Sequence, residues 1–234
     1  MTELILIRHG QTELNRGPFF QGQIDVPLNA LGLAQAARLA RRLAGERIDA
    51  IACSDLLRTR QTAAPASRSL DLAPAHDAAL REQSFGAFEG LSFDQVTERH
   101  PEAFAAWLRH EAGYAVPGGE SVVRFHARVV GALRAIARAN AGRRIAVVTH
   151  GGVLDMAWRT ARGLGLDGAR SCPIPNAGLN LLRVEGDAFE ILAWADDAHV
   201  ADLGPAPGPP PTSGDEDEPG PVQPFTAASS PSAR

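Results

Sequence analysis

Leu4-Ile5-Leu6-Ile7-Arg8-His9-Gly10 opens the chain and decides how the rest is read. Four consecutive apolar side chains leave no polar face, which is the pattern of a strand covered on both sides. A cation, an imidazole and a glycine follow at its carboxyl end. The same grammar returns twice. Ile48 to Ser54 reads as a second buried strand, with Asp55 and Arg58 just beyond it, and Ile145 to Thr149 reads as a third, ending in His150-Gly151-Gly152.

Helical patterns lie between these runs. Asn29 is a candidate N-cap for a helix to about Ala44, with Ala36, Leu39, Ala40 and Leu43 inward and Gly45 as its stop. A second helix is expected over 56–68, and Ser92 with Gln95 forms a capping-box pattern for another. Further helices are expected over 101–111, from near Ser121, and from Gly151 to about Ala161. Asn180 to Val184 and Phe189 to Ala195 read as a hairpin around Glu185-Gly186-Asp187. Strands alternating with helices predict an α/β fold, its mostly parallel sheet covered by helices on both faces. Ligands bind such sheets beyond the carboxyl ends of the strands. Arg8, His9, Arg58 and His150 are therefore expected at one edge.

Composition sets the limits. The chain has 234 residues and a net charge of −4, and the acidic run Asp215-Glu216-Asp217-Glu218, with Arg234, leaves residues 1–204 near −1. No basic footprint for nucleic acid exists, and no run approaches the ~20 apolar residues of a membrane span. Nine of the 17 prolines fall in residues 205–234, with Gly, Ser and the acidic run. That segment reads as a disordered tail on a single domain of residues 1–204. Met1-Thr2-Glu3-Leu4 has no secretory character, so a cytoplasmic protein with reduced Cys53 and Cys172 is expected. All 23 basic residues are Arg. Without lysine, a Schiff base, a Walker-type phosphate loop and a Ser-Lys dyad are excluded.

Two histidines and two arginines at one edge suit a particular chemistry. Neutral imidazole is a good nucleophile near pH 7, and guanidinium presents paired donors that match phosphate oxygens. Arg8, Arg58 and a protonated His150 would neutralise a phosphoryl group without a metal or other cofactor. Glycines after each histidine would let amides approach the anion, with Gly151 opening a helix. A carboxylic acid is still needed for the leaving oxygen. Glu82 and Glu89 both qualify by spacing. The remaining histidines, His76, His100, His110, His126 and His199, show no metal-like spacing, and Phe104 and Trp107 read as helix packing rather than a substrate platform.

The motifs together resemble the histidine phosphatase superfamily, in its phosphoglycerate mutase-like branch. Leu6-Ile7-Arg8-His9-Gly10-Gln11-Thr12-Glu13-Leu14-Asn15 is similar to the family signature. The resemblance implies that His9 becomes phosphorylated while Arg8 and Asn15 hold phosphate. Gln21-Gly22-Gln23-Ile24-Asp25 resembles the substrate loop, and Ser54-Asp55-Leu56-Leu57-Arg58 resembles the segment with the second phosphate-binding arginine. Glu82 falls on the family's acid, which resolves the choice against Glu89. Pro117-Gly118-Gly119-Glu120-Ser121 and Val148-Thr149-His150-Gly151-Gly152 complete the set over roughly residues 3–200. The implied fold is the three-layer phosphoglycerate mutase-like sandwich. The implied activity is hydrolysis of small phosphomonoesters, with a mutase or a silent binding domain as alternatives. The expected partner is a small phosphate ester, with a homodimer as one open assembly. Mutases in this group carry an added insertion between acid and second histidine. Here 67 residues (83–149) separate them. That leaves little for a lid, and the arginines from 124 to 138 are expected on the solvent face of a helix.

Overall fold

The computed structural model describes residues 1–170 and 172–204, so the expected tail lies outside the described residues. Six strands form one sheet: β1 (Thr2–Arg8), β2 (Ala50–Cys53), β3 (Pro74–His76), β4 (Arg144–Thr149), β5 (Leu179–Glu185) and β6 (Ala188–Asp196). Their order is β3-β2-β4-β1-β5-β6. The first four run parallel, and the hairpin β5–β6 adds two antiparallel strands beside β1. The sheet is therefore mostly parallel, as the alternation of elements predicts.

Helices cover both faces. On one, α1 (Ala30–Ala44) and α2 (Leu57–Leu70) bury Leu39, Leu43 and Ala63 against Ile5, Ile7, Ile51 and Val148. On the other, α5 (Val122–Ala139) and α6 (Gly151–Arg162) bury Phe125, Val129, Leu133 and Leu154 against Leu4, Leu6, Ile145 and Val147. Leu4 and Leu6 face one layer while Ile5 and Ile7 face the other, which is why β1 carries no polar side. A third cluster is aromatic. Two short helices, α3 (Phe93–Arg99) and α4 (Pro101–Trp107), gather Phe93, Phe104 and Trp107 around buried Phe20 and Phe88.

The caps fall where side-chain chemistry places them. Asn29 Oδ1 accepts from the Gly32 amide at 2.9 Å, and Ser92 and Gln95 satisfy each other's backbone donors in a capping box. The helix expected over 101–111 ends at Trp107, because His110 takes a left-handed φ of 52°. The strand expected from Ile48 begins at Ala50. Pro74–His76, not anticipated, pairs with β2 at the sheet edge.

Parallel pairing sets the register of the site. Arg8 lies opposite Thr149, and the His9 amide donates to the Thr149 carbonyl at 2.9 Å. His9 and His150 therefore leave adjacent strands side by side. Ser54 leaves β2 on the other flank of β4, its amide bonded to Val148 O at 3.0 Å.

Candidate active site

The rings of His9 and His150 lie edge to face with centroids 5.3 Å apart. His9 Nδ1 is 2.7 Å from the Gly10 carbonyl. A carbonyl only accepts, so Nδ1 carries the proton and Nε2 keeps its lone pair. Burial, then the charges of Arg58 and Arg8, hold the His9 pKa well below 6.5. The imidazole is thus neutral at physiological pH. Asn176 Nδ2 donates to the His9 carbonyl at 2.8 Å and fixes the backbone.

Arg58 is a buried cation, and Arg8 is half-buried with its Nε enclosed. Arg8 Nη1 donates to Ile174 O at 2.8 Å, while Arg58 spends Nη1 on Ile24 O (2.9 Å) and Nη2 on Gly22 O (2.7 Å). Burial first pushes each pKa down to about 10; Arg170 adds to the effect on Arg8, and Glu82 opposes it on both. Three buried nitrogens in this cluster meet no acceptor: Arg8 Nε, Arg58 Nε and His150 Nδ1. Native interiors rarely leave such groups unmatched. Here the three belong to the side chains that neighbour His9, the His150 ring and the two guanidinium groups whose charges act on it.

His150 differs from the expectation. Its pKa is held well below 6.5 by burial and then by Arg58, His9 and Arg8, so in the protein alone it is neutral rather than cationic. An anion beside it would act in the opposite direction. Its Nε2 lies 2.9 Å from Ser54 Oγ, a partner not singled out by the sequence reading.

Glu82 stands beside the helix start of α6. Its Oε2 accepts from the Gly152 amide at 3.0 Å and its Oε1 from its neighbour Gln83 at 2.9 Å. Position 152 has no room for a side chain, since a Cβ there would lie 2.1 Å from Glu82 Oε1. Glu89 does other work. Its Oε1 accepts from Ser84 Oγ and the Phe85 amide at 3.1 and 2.9 Å, and it packs on Gly22, whose φ is +49°. Asn15 and Gln21 both join Thr12: Asn15 Oδ1 accepts from the Thr12 amide at 3.0 Å, and Gln21 Oε1 from Thr12 Oγ1 at 2.7 Å. This fastens the turn Glu13–Arg16 to the loop that Arg58 also grips.

The glycine amides divide differently from the expectation. Gly10 N donates to Thr62 Oγ1 at 3.0 Å and Gly152 N to Glu82, so neither is aimed at a ligand. Gly151 N opens the first turn of α6, where backbone donors have no intrahelical acceptor.

Arg128 is the clearest correction. Expected on the solvent face of α5, it turns inward and pairs with both oxygens of Glu120 at 3.0 and 2.7 Å. Its guanidinium also donates to the carbonyls of Ala79, Arg81 and Glu82 at 2.9, 3.0 and 3.2 Å. It therefore holds the backbone that carries Glu82. Helical spacing alone does not distinguish it from Arg124 or Arg138.

Beside Glu82 lies a cavity of about 310 Å³. Gln83, Gly152 and Arg170 border it, Arg170 on the side of Arg8, and Phe85, Trp107, Tyr114 and Phe125 form aromatic walls. Arg170 was not anticipated either: its Nη1 is 3.1 Å from where a Cβ on Gly151 would sit. Trp107 packs on Phe104 as expected but also lines this cavity, together with His110. So the segment after α4 does cover part of the site, despite the short spacing between Glu82 and His150. Among the described residues, no group of three or more His, Cys, Asp or Glu side chains is placed to hold a metal ion, and no helix is long and apolar enough to cross a membrane.

This sheet, with paired imidazoles and buried guanidinium groups at its carboxyl edge, defines a phosphoryl-handling α/β enzyme. The chain belongs to the histidine phosphatase superfamily (branch 1), whose family model matches residues 4–197. It is 36% identical to phosphoglycerate mutase-like protein 4 of Arabidopsis thaliana, covering 86% of this chain and 88% of that one. Identity to the metal-independent phosphoserine phosphatase of the same plant is 34%, over 87% of this chain and 85% of that protein. Among solved structures, YhfR of Bacillus stearothermophilus superposes with a TM-score of 0.80 at 29% identity, covering 86% of this chain and all of its own.

Proposed function

We propose that this protein is a metal-independent phosphatase that hydrolyses small phosphomonoesters through a phosphohistidine on His9. The observation that carries the reading is the set of three buried nitrogens without partners, Arg8 Nε, Arg58 Nε and His150 Nδ1, on the neighbours of an imidazole whose Nδ1 is bound to Gly10 O and whose Nε2 keeps its lone pair. Three phosphoryl oxygens would satisfy three donors. With Ser54 O–H donating to His150 Nε2, Nδ1 carries the hydrogen offered to phosphate. Asn15, Gln21, Gly22 and the Gly151 amide complete the phosphate side.

His9 Nε2 gives its lone pair to phosphorus, the bond to the ester oxygen breaks, and protonated Glu82 transfers its proton to that oxygen. Water then attacks phosphorus, gives a proton to Glu82, and the P–N bond breaks to release inorganic phosphate. Charge neutralisation by Arg8 and Arg58 takes the place a metal fills in other phosphatases. A cytoplasmic setting belongs to the same proposal and rests on the two buried free thiols, Cys53 and Cys172.

Phosphohistidine is acid-labile and base-stable, so alkaline quenching with labelled substrate tests the reading. Label should appear on the wild-type chain and vanish with turnover in His9→Ala. A near-wild-type rate in that variant would remove His9 from the mechanism. The similarity to a phosphoglycerate mutase-like protein favours one second reading, a mutase using the same intermediate.

A further inference from the structure

We propose that the cavity beside Glu82 receives the leaving group, and that the preferred substrates are phosphomonoesters of alcohols bearing a flat aromatic substituent. This rests on the phosphatase reading and adds the substrate class. The acid that protonates the departing oxygen must stand beside it, so the leaving group extends on the Glu82 side of phosphorus. Gly152 belongs to both places. Its amide holds Glu82 Oε2, and its backbone lines the cavity. A Cβ built on Gly152 would lie 2.1 Å from Glu82 Oε1 and 2.9 Å from the Phe125 ring. Acid and aromatic wall therefore face the same point.

Much of the wall's polar side-chain surface is already engaged within the protein. Asp155 pairs with Arg159 at 3.1 Å, and Arg159 also donates to the carbonyls of Gly165 and Gly168 at 2.7 and 3.0 Å. Glu120 is bound to Arg128, and the Tyr114 hydroxyl donates to Ala103 O at 3.2 Å. Arg170, the other guanidinium on the wall, stands at Gly151 and Arg8, the phosphate end. What remains, beside the His110 ring, is the apolar surface of Phe85, Trp107, Val116, Phe125 and Met156. The 310 Å³ volume has room for about ten waters at ~30 Å³ each. A three-carbon acid would leave most of it wet against aromatic rings, whereas a fused ring system would displace that water.

The test compares esters with similar primary alkoxide leaving groups, so that intrinsic reactivity does not decide the outcome. Wild-type kcat/KM should be on the order of 30- to 100-fold higher for 2-(1-naphthyl)ethyl phosphate than for ethyl phosphate, the effect of burying one aromatic group. It should also exceed that for O-phosphoserine. Free 2-(1-naphthyl)ethanol should inhibit ethyl phosphate hydrolysis competitively. Leu166 also lines the cavity, and filling it with Leu166→Trp should lower the naphthylethyl-to-ethyl ratio at least about tenfold. Phosphate release from all three esters with ratios near one, or with phosphoserine foremost, overturns the cavity assignment and leaves the phosphatase reading intact. No phosphate from any ester overturns both.

Discussion

His9, Arg8, Arg58 and His150 are legible in the sequence because each ends or closely follows an apolar run, and parallel strands must deliver such ends to one edge. Glu82 is different. It follows the edge strand Pro74–His76, which has no apolar signature, so only the family resemblance separates it from Glu89. The structure gives that choice a physical form: Glu82 sits on the Gly152 amide, and Glu89 braces the turn at Ser84. Ser54, Thr62 and Asn176 escape a linear reading because their partners are His150, Gly10 and His9, all distant in sequence. Removing a general acid slows departure of a poor leaving group by roughly 10²–10⁴-fold and of a good one much less. Glu82→Gln should therefore damage turnover of an alkyl phosphate far more than that of p-nitrophenyl phosphate. Equal damage to both would make Glu82 a binding residue. The same pattern in Glu89→Gln would move the assignment there.

At the scale of elements, caps and periodicity locate α1, α3 and α5 to within a residue or two, because Asn29, Ser92 and Ser121 bond backbone donors of their own first turns. What helical periodicity cannot say is which arginine of α5 faces inward. Arg128 does so because the turn Ala78–Leu80 and the Glu82 backbone present carbonyls that β-strand pairing leaves unused. Its guanidinium also lies 5.1 Å from the centre of the Phe125 ring, linking the acid's support to the cavity wall. Arg128→Met keeps the stem and removes the fork. That change leaves buried carbonyls and the Glu120 carboxylate short of donors, at a cost of about 1–3 kcal/mol. Thermal unfolding should drop by several degrees, and alkyl phosphate turnover should fall more than p-nitrophenyl phosphate turnover as Glu82 loses its placement. Unchanged stability and rate would return Arg128 to the solvent-facing role that spacing alone implies.

For the whole molecule, the site is built against stability. His9 and His150 are buried neutral between cations, and both pKa values lie well below the 6.5 expected when unfolded. Below pH 6.5 the unfolded chain binds these two protons and the folded chain does not. Stability is then fully present above that pH and falls as pH drops, by up to about 1.4 kcal/mol per unit for each imidazole. Urea unfolding between pH 7.5 and 5.5 should show this slope, and His9→Gln should remove about half of it. A flat profile would mean that the imidazoles are protonated in place. The same burial bears on the choice between hydrolase and mutase. A mutase must keep water from its phosphohistidine while the substrate reorients, which calls for a closed cover and cations for the sugar acid. Among the described residues, two short stretches, Trp107 to Val116 and Leu166 to Arg170, border the cavity, and Phe85, Trp107, Tyr114 and Phe125 stand in its walls. Water should reach the intermediate. With 3-phosphoglycerate and catalytic 2,3-bisphosphoglycerate supplied, inorganic phosphate should accumulate and 2-phosphoglycerate should not. Isomer formation outrunning phosphate release by orders of magnitude would instead show that this short cover is enough to exclude water, and the mutase reading would replace the hydrolase.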